Sequence, residues 1–133
     1  TRGTKREHII RAAQESIAYQ SMDLVAAMEK DTGVPLRELR VDGGASRDAF
    51  LMQFQADMLA TPVRRPVIRE TTALGAAYLA GLAVGIWHDP DELRRQWRCD
   101  VSFLPHMTAE QREKNRRGWA KAVGRSLDWA KEE

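Results

Sequence analysis

The sequence predicts an α/β protein in which helices pack on a sheet of short strands. Three observations support this class: helical patterns lie at both ends of the chain, short apolar runs separate the helices, and a strand–Gly–Gly–helix pattern occurs in "LRVDGGASRDAFLMQF", residues 39–54. Helices that alternate with short strands favour a layered fold. Because no repeat or low-complexity linker interrupts the pattern, we expect residues 1–133 to belong to a single domain.

The first half of the chain predicts helix, strand, helix and strand. Apolar residues recur at spacings of three, four and seven over residues 5–30, which predicts a long helix that the Gly and Pro of "GVP" end. Its apolar face consists of Ile10, Ala13, Ile17, Leu24 and Met28. A strand over residues 39–41 precedes a second helix over residues 47–59. "VRRP", residues 63–66, then predicts an edge strand, because the prolines around it cannot donate to a β-ladder. The apolar face of the second helix consists of Phe50, Leu51, Phe54, Met58 and Leu59.

The second half predicts two further helices, a strand and a final helix. Residues 72–84 carry small residues at every fourth position, which allows close approach to a neighbouring element; they are Ala73, Ala77 and Gly81. Asp89 suits an N-cap, and Pro90 suits the first position of a short helix. Residues 99–105 alternate weakly, as a strand does. The last helix is predicted over residues 108–131, with Thr108 as N-cap and with Trp119, Val123, Leu127 and Ala130 on its apolar side.

Composition indicates a globular protein without a strongly charged surface. The 133 residues are 43% hydrophobic and 30% charged, and the formal net charge is only +2, which gives no indication of nucleic-acid binding. The single cysteine, Cys99, cannot form an intrachain disulfide and indicates a reducing, cytoplasmic setting. The uncharged run over residues 71–87 is too short and too rich in Ala and Gly for a membrane span, which needs about 20 apolar residues. The chain has no signal peptide and no initial Met, so we expect a piece of a longer protein.

Residues 42–48, the diglycine corner, are the main candidate for a binding site. Gly43 and Gly44 can adopt positive φ and let a ligand approach the backbone. N–H groups at the start of the following helix can receive an anion, with help from the helix dipole. From "DGG" alone, however, a turn that needs glycine only for geometry is favoured. The pattern is neither a P-loop nor the dinucleotide G-x-G-x-x-G. Asp42 is expected to cap the turn by accepting backbone N–H groups, and not to act as a base.

Other kinds of chemistry have little support in the sequence. The histidines, His8, His88 and His106, match no zinc spacing. Ser16 and Ser21 lie outside any G-x-S-x-G pattern, so a serine nucleophile is not indicated. The last helix carries basic residues interleaved with acids, which is more typical of a solvated face than of an anion-binding or partner-binding face. These basic residues are Arg112, Lys114, Arg116, Arg117, Lys121 and Arg125.

Three stretches together resemble the FGGY carbohydrate kinase family over nearly the whole chain. They are "SIAYQ", "LRVDGGASRDAFLMQFQADMLATPV" and "RETTALGAAYLAGLAVGIW". The combination of "FLMQFQADML" with "TTALGAAYLAGLAVG" is similar to the family members that phosphorylate glycerol. The resemblance implies a ribonuclease-H-like, actin-type ATPase domain. Residues 1–133 would be the C-terminal part of the second of two such domains, and the N-terminal domain is absent from this sequence.

The same resemblance implies a nucleotide site at the diglycine corner. Gly43, Gly44 and Ala45 would border ATP near its ribose and phosphates. Asp48 occupies a position where the family often has an Asn that helps to hold the nucleotide; an ionised Asp can accept but cannot donate a hydrogen bond. The family's catalytic Asp, its glycerol-contacting residues and its N-terminal phosphate loop lie outside this segment. We therefore predict no catalytic residue and no metal ligand here, expect Mg²⁺ and glycerol to bind in the whole enzyme, and expect the isolated chain to be inactive.

Alternatives to this interpretation stay open on the sequence alone. Another FGGY kinase could act on a different polyol or sugar, since the substrate contacts would lie in the missing domain. A nucleotide-binding or regulatory module without catalysis is slightly favoured by Asp48. A nucleic-acid binder would use the basic last helix. No membrane partner is expected, and a homo-oligomer is left open. Exposed apolar surface is expected wherever the rest of the domain would dock.

Overall fold

The computed structural model describes residues 1–128, and its elements follow the predicted order. The helices are α1 (Arg6–Thr32), α2 (Ala49–Leu59), α3 (Thr71–Ala83), α4 (Pro90–Gln96) and α5 (Ala109–Ser126). The strands are β1 (Leu39–Arg40), β2 (Val63–Pro66) and β3 (Cys99–Phe103), and a 3-10 turn (Gly44–Arg47) connects β1 to α2. No helix in this part of the chain combines the length and the apolar content needed to cross a bilayer.

The three strands form one sheet in the order β1-β2-β3. β1 and β2 are parallel, with Leu39 opposite Val63, while β2 and β3 are antiparallel, with Val63 opposite Phe103. The "VRRP" segment is therefore the central strand, and the prediction of an edge strand is wrong. Pro66 is tolerated because it is the last residue of β2 and lies at a register irregularity of the ladder.

Helix α2 forms the centre of the hydrophobic core. Its buried apolar residues are Leu51, Met52, Phe54, Ala56 and Met58. They pack with Ala18 and Met22 of α1 and with Val63 of β2. Tyr19 adds an aromatic cluster, because its ring stacks on Trp119 at 5.2 Å and meets Phe54 edge-on at 5.5 Å. Burial raises the pKa of the Tyr19 hydroxyl, and the Glu15 carboxylate adds to the effect.

The predicted apolar face of α1 is exposed. Ile10 and Ile17 are about half exposed, at 48% and 47%, and Leu24 and Met28 exceed one half. The residues that α1 buries are Ala18 and Met22, on a different face. α1 thus has two apolar faces, and α2 covers the one that carries Ala18 and Met22. The sequence predicted the helix correctly, but it predicted the wrong face toward the core of residues 1–128.

Several element ends differ from the predictions. α2 begins at Ala49 because the 3-10 turn occupies the residues before it. α5 ends at Ser126, and Ala130 and Lys131 of the predicted helix lie outside the described residues. Both predicted N-caps are confirmed: Asp89 accepts the N–H of Asp91 at 2.8 Å, and Thr108 Oγ1 accepts the N–H of Gln111 at 3.2 Å.

Gly81 is the one member of the small-residue stripe in α3 that is buried, since Ala73 and Ala77 are exposed. The Trp87 ring lies over it, and an added Cβ would come within 2.2 Å of a ring carbon. Trp87 also meets Tyr78 edge-on, with ring centroids 5.2 Å apart. The close approach that the stripe predicted therefore occurs at Gly81, toward a side chain that follows the helix.

We predict that Gly81→Ala forces Trp87 away from α3. The substitution should lower the free energy of unfolding by about 1–3 kcal/mol, the usual cost of overpacking. Gly75→Ala is the matched control in the same helix, because no atom lies within 4 Å of its added Cβ. It should raise the free energy of unfolding by up to about 1 kcal/mol through helix propensity. Urea unfolding followed by circular dichroism measures both, and equal effects of the two variants would contradict the packing argument.

Candidate functional site

The diglycine corner and the residue before it are held by the backbone of β2 and of the segment that follows β2. Val41 donates its N–H to the Arg64 carbonyl at 3.1 Å, and Gly43 donates its N–H to the Arg69 carbonyl at 2.9 Å. Gly43 has φ 72° and ψ −172°, a region that side-chain-bearing residues rarely adopt. Of the two glycines, Gly43 is therefore the one whose backbone conformation requires glycine. Gly44 does not have a positive φ.

The 3-10 turn closes the corner on one side and leaves it open on the other. Ser46 is 1% exposed, and both its N–H and its Oγ donate to the Gly43 carbonyl, at 3.3 and 2.7 Å. Gly44 and Ala45 are exposed, and their N–H groups have no acceptor within residues 1–128. A Cβ added to Gly44 would meet no atom within 4 Å. The backbone of Gly44 and Ala45 is therefore the accessible face of the corner.

Asp48 joins the corner to two helices. Its Oδ1 accepts the N–H of Leu51 at 3.1 Å, which makes it the N-cap of α2, and its Oδ2 accepts a short hydrogen bond from the Gln14 amide of α1. Both carboxylate oxygens are therefore engaged. The helical segment that directly follows the glycines is the 3-10 turn, whose first N–H groups, those of Gly44 and Ala45, have no acceptor among residues 1–128, and Asp48 caps α2 after it.

Asp42 does not have the predicted capping role. Its side chain is exposed and accepts no backbone N–H among the described residues. The turn is fixed by the Ser46 hydroxyl and by the backbone instead. Among residues 1–128, no side-chain hydrogen bond or ion pair is formed by Asp42.

Three charged side chains behind the corner escaped the sequence patterns. Arg65 of β2 donates through Nε and Nη2 to Oδ2 of Asp100 in β3, at 3.2 and 2.9 Å, and Arg69 Nη2 donates to the same oxygen at 3.3 Å. The hydrogen bond from Arg65, reinforced by the one from Arg69, holds the pKa of Asp100 below its usual value. The sequence contained one signal for this contact, since Arg65 and Asp100 carry opposite charges in two short strand-like runs. That signal can be used only when the pairing of β2 with β3 is known.

The remaining candidates do not form a second site. His8 Nδ1 accepts the N–H of Lys5 at the start of α1, and His88 and His106 are exposed. Over residues 1–128, no three His, Cys, Asp or Glu side chains come together as metal ligands. On α5, Arg116 pairs with Glu113 at 3.0 Å, while Arg112 donates to the Asp57 carbonyl of α2. The basic face of α5 is thus partly solvated, as predicted, and partly used for packing.

Comparison with known proteins defines the class. A sequence model of the FGGY family of carbohydrate kinases, C-terminal domain, matches residues 1–84, which is more than half of the chain. The chain belongs to the FGGY family of carbohydrate kinases.

Within that family, the similarity to glycerol kinases is high. The chain is 61% identical over 132 residues to the glycerol kinase of Caldanaerobacter subterraneus subsp. tengcongensis, and 60% identical over 131 residues to glycerol kinase 2 of Thermotoga maritima. These alignments cover 99% and 98% of this chain but only 27% and 26% of the relatives. The chain therefore spans about a quarter of the length of the curated relatives it matches.

Solved structures support the fold. A crystal structure of Plasmodium falciparum glycerol kinase with ADP superposes with a TM-score of 0.84 at 40% identity, over 96% of this chain and 26% of that one. A ligand-bound xylulose kinase from Lactobacillus acidophilus has a TM-score of 0.74 at 20% identity, over 98% of this chain and 26% of that one, and shows the fold alone. The predicted α/β class, as part of a ribonuclease-H-like, actin-type ATPase domain, is confirmed. The assignment of Gly43, Gly44, Ala45 and Asp48 to a nucleotide site stays a prediction.

The two glycines of the corner should differ in their effect on stability. Gly43→Ala places a side chain at positive φ and should lower the free energy of unfolding by about 1–3 kcal/mol. Gly44→Ala meets open space without that strain and should change it by less than about 0.5 kcal/mol, as surface substitutions do. Chemical unfolding of the purified chain measures both. A Gly44 variant that is as destabilised as the Gly43 variant would contradict the geometry of the corner.

Asp48 should act on stability through the cap of α2. Asp48→Ala should lower the free energy of unfolding by about 1 kcal/mol, the usual loss for a removed N-cap. Asp48→Asn should retain most of that stability, because Asn also caps helices and its amide can pair with the amide of Gln14. Urea unfolding compares the three proteins. If Asp48→Ala were as stable as the parent, the cap would not contribute.

Proposed function

We propose that this chain is the C-terminal part of the C-terminal domain of a glycerol kinase. The whole enzyme would transfer the γ-phosphoryl group of ATP to glycerol and release glycerol 3-phosphate and ADP. The observation that carries the proposal is the 61% identity over 132 residues to a named glycerol kinase, supported by the fit to a glycerol kinase structure that contains ADP. The proposed setting is cytoplasmic, and a homo-oligomeric enzyme is compatible with it.

The diglycine corner would form one wall of the nucleotide site. Gly43 turns the chain, and the exposed backbone of Gly44 and Ala45 lets the ribose and phosphates of ATP or ADP approach without a side chain in between. Their N–H groups, which lack acceptors within residues 1–128, fit an acidic or polar ligand. Asp48 would act beside the nucleotide by fixing the start of α2, since both of its oxygens are already engaged.

This chain would not perform the reaction alone. Phosphoryl transfer depends on positioning and charge neutralisation from both sides of a cleft, and Mg²⁺ would supply part of the positive charge. Within the described part of the chain, no cluster of ligating side chains could hold that ion unaided. The catalytic base, the glycerol contacts and the remaining phosphate contacts would come from the other three quarters of the enzyme.

Two other functions would share the same site. A kinase for another polyol or sugar would keep this fold, as the xylulose kinase comparison illustrates, because the substrate contacts would lie elsewhere. A nucleotide-binding module without catalysis would bind ATP or ADP and transfer nothing. The glycerol kinase proposal is preferred because the identity to xylulose kinase is only 20%, whereas the identity to glycerol kinases reaches 61%.

The test uses the full-length product of the gene and the isolated chain. We expect the full-length protein to release ADP from ATP only when glycerol is present, and the isolated chain to show no turnover. Gly44→Val in the full-length protein should weaken ATP and ADP binding at least about tenfold, because its side chain would fill the open face of the corner. Gly124→Val on α5 is the control, since its added Cβ also meets nothing within 4 Å.

Each other outcome identifies a different error. If the folded full-length protein phosphorylates a different polyol or sugar and not glycerol, the proposed substrate is wrong. Nucleotide binding without phosphoryl transfer to any polyol or sugar would favour the nucleotide-binding module without catalysis. Turnover by residues 1–133 alone would show that the missing parts are not required. Unchanged nucleotide affinity in a folded Gly44→Val protein would remove the corner from the site.

A further inference from the structure

Arg65 connects the sheet to the diglycine corner. Its side chain is only 12% exposed, and two of its nitrogens, Nε and Nη2, donate to the Asp100 carboxylate. Its third nitrogen, Nη1, donates to the backbone carbonyl of Ser46 at 3.2 Å. Because a guanidinium is a rigid planar fork, the two bonds to Asp100 determine where the third nitrogen points.

The Ser46 carbonyl lies at one end of the accessible backbone. The other end is Gly43, whose N–H is bound by the Arg69 carbonyl at 2.9 Å. Ser46 also closes the turn onto the Gly43 carbonyl through its hydroxyl. Gly44 and Ala45 lie between these two anchors, and both anchors come from the five-residue stretch that runs from Arg65 to Arg69.

The charge behind the corner is positive. Two guanidinium groups share the single Asp100 carboxylate, and the lowered pKa of Asp100 keeps that carboxylate ionised at neutral pH. Arg69 Nε is buried without a hydrogen-bond partner among the described residues. Arg65, Arg69 and Asp100 together carry one unit of positive charge, and Asp42, Arg47 and Asp48 of the corner carry one unit of negative charge, so the two sets cancel and the hydrogen bonds of the anchors define the corner.

We propose that Arg65 and Asp100 are positioning residues of the nucleotide site. Asp100 orients the Arg65 guanidinium, and Arg65 holds the Ser46 carbonyl so that the Gly44–Ala45 backbone presents its N–H groups to the nucleotide. Neither side chain needs to touch the nucleotide or the reacting atoms. This inference rests on the proposed function, because it concerns the same site.

Steady-state kinetics of the full-length protein separate positioning from general stability. Arg65→Gln should raise the KM for ATP about tenfold, because the Gly44–Ala45 backbone loses the anchor that holds it in place for the nucleotide, and should leave the KM for glycerol unchanged. Arg65→Lys should show the same rise, because one ammonium group cannot reach both Asp100 and the Ser46 carbonyl. Asp100→Leu should resemble Arg65→Gln, because it removes the acceptor that orients the fork.

Arg64→Gln is the matched control on the same strand. Arg64 is exposed and pairs with Glu38 at 3.1 Å, away from the corner. Its variant should keep both KM values. An unchanged KM for ATP in Arg65→Gln would overturn the proposal. So would an equal rise of both KM values together with a lower melting temperature, because that pattern indicates a purely structural role.

Amide hydrogen exchange on the 133-residue chain tests the positioning without any activity. The N–H of Gly43 donates to the Arg69 carbonyl, and the N–H of Ser46 donates to the Gly43 carbonyl. We expect both to exchange at least about tenfold faster in Arg65→Gln but not in Arg64→Gln. Faster exchange in the 133-residue chain, together with a full-length protein that has no kinase activity, would reject the proposed function and keep the positioning of the corner. Unchanged exchange would reject the positioning itself, whatever the activity.

Discussion

The burial of α2 is the constraint on which the rest of the structure depends. α2 packs against α1, α5 and strands β2 and β3, and it supplies most of the buried apolar side chains. Because α2 begins directly after the 3-10 turn, its packing also fixes the position of the diglycine corner. Asp48 strengthens this link, since one carboxylate caps α2 and contacts Gln14 of α1. A shift of α2 would therefore move the corner relative to the sheet.

The corner combines a rigid support with an accessible backbone. Gly43 makes a turn that other residues resist, Ser46 is buried beneath it, and Arg65 of β2 and Arg69 after it bind the two ends. Gly44 and Ala45 remain exposed between these fixed points. In the proposed nucleotide site, the ligand would be recognised mainly through backbone N–H groups. The side chains around it act at a distance, by determining where the backbone lies.

Local patterns predicted most of the fold and the location of the candidate site. Periodicity identified the α2 face with Leu51, Phe54 and Met58, and capping chemistry located the starts of α4 and α5. The failures concern pairing between distant segments. The central position of "VRRP" depends on β3, which lies more than 30 residues further along the chain. The Arg65–Asp100 contact depends on the same pairing, so neither could be predicted from local sequence.

The prediction of the apolar face of α1 failed for a different reason. Ile10, Ile17 and Leu24 recur every seven residues, which is the pattern of a buried helix face, yet no element of residues 1–128 covers them. β1 is at the edge of the sheet, so one side of this strand is likewise unpaired within the described residues. The apolar spacing in a helix reflects all the faces that the helix buries in the complete protein, including a face covered by parts outside residues 1–128. In the longer kinase proposed here, the rest of the domain would cover this face, and the sequence pattern would then describe that larger core.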